Sequence, residues 1–196
     1  MSNRPTKRTS PEQTREAILH AARELMSERS YDATTMPGVA QRAGIAAGTI
    51  YLHFASKEAM VNAVYRASKL EMQRFLVDAM ATARTPREGF HRLWRGLFEF
   101  SRKEPEAFRF LEMHRHLPYL DADSREVARN VFEGVADYVR LAQKEGAVRD
   151  APAEVLIALA FGAFVGLAKE AECGHAPLDE ESVAISESAV WDLLSN

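Results

Sequence analysis

The sequence predicts an all-α protein, and three observations carry that reading. No segment alternates apolar and polar residues with the two-residue period of a half-buried strand over a useful length. Apolar residues instead recur at helical spacing along most of the chain. Between those stretches helix-start signals return: a hydroxyl or carboxylate residue, often followed by proline, with an acid or amide three places on.

The elements follow in order. Ser10-Pro11-Glu12-Gln13 supplies an N-cap, a first-turn proline and a capping-box partner, and Ile18, Leu19, Ala22, Leu25 and Met26 form one apolar stripe, so a first helix runs to about Arg29. Thr35 caps a short second helix from Met36 to Ala43, with Pro37 tolerated in its first turn, Gly38 weakening that turn and Gly44 stopping it. A third helix spans Ala47 to His53. Phe54 and Ala55 break the pattern, and Ser56 caps a long fourth helix from Lys57 to about Ala83. Thr85-Pro86-Arg87-Glu88 opens a fifth, carrying Phe90, Leu93, Trp94, Leu97 and Phe98. Pro105 opens a sixth, limited by Pro118; a seventh runs from about Ser124 to Glu145; Pro152 starts an eighth, closed by Gly174; and Asp179 to Leu194 forms the last. The count is about nine helices, without internal repeat or low-complexity segment.

Composition places the chain among ordinary folded proteins: 196 residues, 46% apolar and 27% charged. The polar, basic stretch Met1 to Ser10 lacks the apolar core of a secretory signal, and a single cysteine, Cys173, cannot close an intrachain disulfide; a cytoplasmic protein is expected. Val155 to Ala168 is apolar but too short to span a bilayer, so no membrane partner is expected. The net charge of -3 conceals an asymmetry. Residues 1–60 carry eight Lys or Arg against six acids, a balance of +2, which leaves -5 on the remainder. A basic head on an acidic body suits a polyanion partner for the head alone.

The second and third helices have the spacing of a helix-turn-helix, in which one short helix crosses the DNA backbone and the next enters the major groove. Val39, Ala40, Ala43, Ile45 and Ile50 supply its small core, and Gly44 permits the turn. Val39 to Met60, reading VAQRAGIAAGTIYLHFASKEAM, resembles the DNA-binding signature of TetR-type bacterial transcriptional regulators. The resemblance is close over residues 10–60, and beyond them the nine-helix plan agrees with the family's architecture.

That resemblance implies residue roles. Thr35 and Lys57 would touch phosphates, and Ala47, Gly48, Thr49, Tyr51 and His53 would face the groove. Plainer readings stay open: Tyr51 packing the turn, His53 capping its helix, Lys57 solvated. Two departures matter. Ala46 replaces the usual Ser or Thr cap, at a cost of about 1 kcal/mol, and Ala47 has no hydrogen-bonding side chain. Base readout is therefore expected from Thr49, Tyr51, His53 and methyl contacts. Arg4, Lys7 and Arg8 either reach the DNA or form a simple basic tail.

The implied organisation is a DNA-binding head at 1–56, including a basic tail at 1–9, and a ligand-binding and dimerisation body at 57–196. Ala158, Gly162 and Gly166 on the eighth helix, with Val190 and Trp191 on the ninth, are expected to form a homodimer interface. Trp94, Phe98, Phe108, Met113, His114, Phe132, Phe161 and Phe164 are expected to line an apolar cavity for a small hydrophobic or amphipathic effector. Partners are thus double-stranded DNA with a palindromic operator, an effector, and a second copy. Glu112 and His116 stand four apart, but two ligands make no metal site; no metal and no cofactor are expected. With no nucleophile elbow or phosphate loop, the chain does not read as an enzyme. An effector-released repressor is the leading expectation, and a regulator whose body is a protein-interaction surface, or an activator, is the alternative.

Overall fold

Nine α-helices and one short 3-10 turn account for most of the described residues, and no strand occurs among them. The structure, a computed structural model, describes residues 10–29, 31–80, 82–113 and 116–196. In chain order the helices are α1 (Pro11–Glu28), α2 (Met36–Arg42), α3 (Ala47–His53), α4 (Lys57–Met80), α5 (Pro86–Lys103), α6 (Pro105–Glu112), α7 (Ala122–Lys144), α8 (Ala153–Glu172) and α9 (Glu180–Leu194), with the 3-10 turn Leu117–Tyr119 before α7.

The caps form as the sequence predicts, because each is a local match of side chain to backbone. Ser10 and Gln13 satisfy each other's backbone N–H, at 3.2 and 3.0 Å, and Thr35, Thr85 and Asp179 accept from Gly38, Glu88 and Ser182. Each satisfies an otherwise orphaned N–H and stabilises its helix by about 1 kcal/mol. At the start of α7 a competing cap shifts the expected boundary. The Asp121 carboxylate accepts from Ser124 N at 2.7 Å, so α7 starts at Ala122 rather than at Ser124. Between α6 and α7 the chain does not run as helix to Pro118: α6 stops at Glu112.

Ile18, Ala22, Leu25 and Met26 of α1 close on Val39 and Ala40 of α2, Ile50 of α3 and Met60, Val61 and Val64 of α4, all buried. These side chains make α1 to α3 one unit seated on the first turns of α4. α5 and α7 pack along the rest of α4, α6 lies against both α1 and α4, α8 packs on α7, and α9 on α5 and α8. Aromatic residues fill this second core. Phe164 meets Trp94 and Phe108 edge-on, with ring centroids 5.6 and 6.1 Å apart, and Phe75 packs on Phe100. Glu187, buried on α9, is tied to α5 by Arg87 Nη1 at 2.5 Å and His91 Nδ1 at 2.8 Å. No described helix is long and apolar enough to cross a membrane.

Candidate functional site

The turn between α2 and α3 is built from backbone hydrogen bonds. Ile45 N donates to Ala40 O at 3.0 Å and Gly44 N to Gln41 O at 3.2 Å, a Schellman ending with Gly44 at φ +68°. Any residue with a β-carbon would be strained there. At the other end of α2, a β-carbon on Gly38 would sit 3.1 Å from Thr35 Oγ1, the atom that caps the helix. Gly38 therefore weakens the first turn in propensity but makes room for its cap.

α3 buries Ile50 completely and turns Ala47, Gly48, Tyr51 and Leu52 outward. Tyr51 is 53% exposed, too open for its side chain to be a packing element of the turn. Thr49 and His53 lie half-buried at the edges of that face. Leu52, 84% exposed, was not among the residues expected from sequence, yet it is the most open large apolar side chain described. The signal was available: with Ile50 facing the core, the helical step puts 48 and 52 on the opposite side. Ala46 caps α3 with no side-chain bond, as its identity implied. Thr35 is exposed, and since its oxygen accepts from Gly38 N its own O–H remains able to donate to a phosphate.

Lys57 stands at the start of α4 with Nζ 3.9 Å from the centre of the Tyr31 ring. Tyr31 in turn stacks on Tyr119 with centroids 4.4 Å apart, and its hydroxyl bonds Glu58 Oε1 at 3.1 Å. The proposed phosphate grip thus rests on an aromatic stack shared between the α1–α2 connection and the segment before α7. Asn62 fastens that segment to α4, donating to Tyr119 O and accepting from Asp121 N, both at 2.9 Å. Arg66 Nη1 bonds both Asp121 oxygens and Ser124 Oγ. Burial pushes the Tyr119 phenol up to about 12, so it stays neutral in this contact. Arg23 of α1 bonds Glu71 of α4 at 2.5 Å and lies 3.5 Å from Glu104 at the start of α6. The base of the head is therefore held by polar contacts as well as by its core.

Among α4, α5, α7, α8 and α9 lies an apolar cavity of about 190 Å³. Met72 and Leu76, Phe90, Leu93, Trp94 and Leu97, Val131, Phe132 and Val135, Ile157 and Phe161, and Trp191 all form wall, together with Lys69 and Tyr138. Of the expected lining residues, Trp94, Phe132 and Phe161 are on the wall. Phe98, Phe108 and Phe164 are not; they are buried core, Phe164 wedged between Trp94 and Phe108. Met113 packs at the end of α6, away from the wall, and His114 lies outside the described residues. Aromatic side chains at helical spacing serve core and cavity alike, so sequence alone could not divide them.

One face of α8 and α9 has no cover among the described residues. Val155, Ala158, Leu159, Gly162 and Ala163 are exposed along α8, and Ala184, Ile185, Ala189 and Leu193 along α9. A β-carbon at Gly162 or Gly166 would meet nothing within 4 Å. Val190 and Trp191 require correction as interface residues. Val190 is buried within the subunit, and Trp191 faces the cavity with its ring 5.4 Å from Phe90. On α9 the residues 183, 187, 190 and 194 point inward, and the outward apolar side chains are Ile185 and Leu193.

Comparison with known proteins places these features. Residues 18–64 match the family model of bacterial regulatory proteins of the tetR family, and residues 65–196 match that of the tetracyclin repressor-like C-terminal domain. YhgD of Bacillus subtilis, an uncharacterized HTH-type transcriptional regulator, is 24% identical over 169 residues, covering 85% of this chain and 88% of that one. UidR of Escherichia coli, an HTH-type transcriptional regulator, is 39% identical over 83 residues, 42% of this chain and 39% of its own. The crystal structure of a TetR family transcription regulator from Marinobacter aquaeolei shares the fold, with a TM-score of 0.85 over 93% of this chain and 96% of that one at 21% identity. With a helix-turn-helix that turns Tyr51 outward and a C-terminal two thirds matching the family's own, the chain belongs to the tetR family of bacterial regulatory proteins: it is a DNA-binding transcriptional regulator, not an enzyme.

Proposed function

We propose that the protein is a homodimeric repressor that leaves a palindromic operator when a small apolar or amphipathic molecule fills its cavity. The observation that carries this reading is α4: its first residues seat the head, and Lys69, Met72 and Leu76 further along it form cavity wall. An occupant that prefers a displaced α4 would shift the population toward a head position unsuited to the operator. In the DNA-bound dimer the two α3 helices would lie in successive major grooves, roughly 34–36 Å apart. Thr35 and Lys57 would hold phosphates, and Ala47, Gly48, Thr49, Tyr51 and His53, with Leu52 beside them, would meet the groove.

Two measurements test the reading. In a gel shift with the promoter region beside its own gene, the wild-type protein should bind, and Tyr51→Ala and Leu52→Ala should each weaken binding by roughly tenfold, the scale of one lost base contact of about 1–3 kcal/mol. Both side chains are exposed, so melting temperatures should stay within a degree or two. Full affinity in both variants would place the groove face elsewhere. A panel of small hydrophobic compounds should then contain members that raise the melting temperature and release the DNA. Stabilisation without release would favour a body that serves another purpose than sensing.

A further inference from the structure

The cavity wall contains one charged residue, and its chemistry is complementary to a particular kind of occupant. Lys69, on α4, has Nζ 3.6 Å from Glu112 Oε1 on α6, an ion pair just beyond hydrogen-bond reach. Water shields neither group: the Lys69 side chain is 16% exposed and that of Glu112 is 12% exposed. Glu112 Oε1 is buried and makes no hydrogen bond. Tyr138, another polar wall residue, donates its hydroxyl to the Pro86 carbonyl. An ion pair held just beyond hydrogen-bond distance leaves the Lys69 ammonium under-satisfied, and an occupant that brought acceptors to it would recover that energy.

We propose that the cavity takes an apolar molecule with a carboxylate head, which binds Lys69 and draws it away from Glu112. The proposal rests on the cavity being the effector site. A carboxylate gains charge-assisted hydrogen bonds that Glu112, at its present distance, does not make. A neutral head gains less, and a cationic head would be repelled by Lys69. The site is also placed to be felt by the DNA-binding head. Lys69 and Glu112 join α4 to α6, and α6 lies against α1, whose Arg23 reaches both Glu71 of α4 and Glu104 beside α6. Loosening the α4–α6 tie thus acts on the two helices that support the head.

The test is calorimetric titration of the full chain at neutral pH with octanoate, octanol and octylamine. The same titrations on Lys69→Met, and on Lys69→Met/Glu112→Leu, separate the lysine's role from the harm done by leaving Glu112 unpaired. The wild type should bind octanoate roughly tenfold more tightly than octanol and octylamine least. The double variant should keep its octanol affinity and lose the preference for octanoate. The proposal is overturned if octanoate and octanol bind the wild type equally, if octylamine binds best, or if the preference survives in the double variant. In those cases a bound octyl chain still leaves the cavity reading standing. Binding by none of the three overturns the proposal, and silence of the wider hydrophobic panel would take the effector-site reading with it.

Discussion

Gly96→Ala is expected to destabilise the protein by about 3 kcal/mol, at the upper end of the usual cost of overpacking a core. Gly96 lies on α5 where that helix crosses α4, and a β-carbon there would fall well inside contact distance of the Phe75 carbonyl oxygen and 3.1 Å from its carbon. Backbone cannot rotate out of the way as a flexible side chain does, so α4 and α5 must separate. They form the most extensively packed pair of helices among the described residues, with Trp94, Leu97 and Phe98 on one side and Met72 and Leu76 on the other. A chain of this size loses about 2–4 °C of melting temperature per kcal/mol, so a fall of roughly 6–12 °C should be seen by calorimetry or circular dichroism. Gly134→Ala is the matched control. It is exposed on α7 with nothing within 4 Å of the added carbon, and the better helix propensity of alanine should stabilise by up to about 1 kcal/mol. A Gly96→Ala protein that melts with the wild type would show that α4 and α5 do not approach so closely.

Gly96 also marks where sequence reasoning stopped. It stands inside the expected stripe of Phe90, Leu93, Trp94, Leu97 and Phe98, and nothing in that stripe says which glycine a neighbouring backbone approaches. Gly162 and Gly166 had the more suggestive four-residue spacing, yet among the described residues no atom comes within 4 Å of the space their β-carbons would fill. Features that depend on neighbours along the chain were legible. The caps at Ser10, Thr35, Thr85 and Asp179 and the stop at Gly44 need only a side chain and the next three or four residues. The helix-turn-helix is such a local unit, and its two helices and the turn between them could be read from the sequence, whereas the exposure of Leu52 was not. Features set by the packing of distant helices were not. Phe164 and Phe161 sit three apart on α8, and one is core while the other is cavity wall because of where α5 and α6 place Trp94 and Phe108. Val190 and Leu193 differ in the same way, one inside and one outside, although they too stand only three residues apart on α9.

That last distinction carries the second large effect. If the bare face of α8 and α9 joins two copies, Leu159→Arg should leave the fold of the subunit intact and abolish dimerisation. Leu159 is 48% exposed, next to Val155, Gly162 and Ala163, and Ile185 of α9 is 64% exposed. An arginine at this position of a single chain would reach water at little cost. In a two-fold interface the same patch meets itself, so each copy would bring one unpaired charge into an apolar contact and repel its counterpart. Light scattering should show the wild type as a dimer at micromolar concentration and the variant as a monomer, with unchanged helical content. Loss of the second head removes the gain from two-point binding, typically 10²–10⁴-fold, so operator affinity should fall by at least about a hundredfold although no DNA-facing residue has changed. Arginine at Gly134, exposed on α7, should alter neither property. A monomeric wild type, or a Leu159→Arg variant that remains dimeric, would show that α8 and α9 meet some other surface, and the spacing of the two recognition helices would then need another origin.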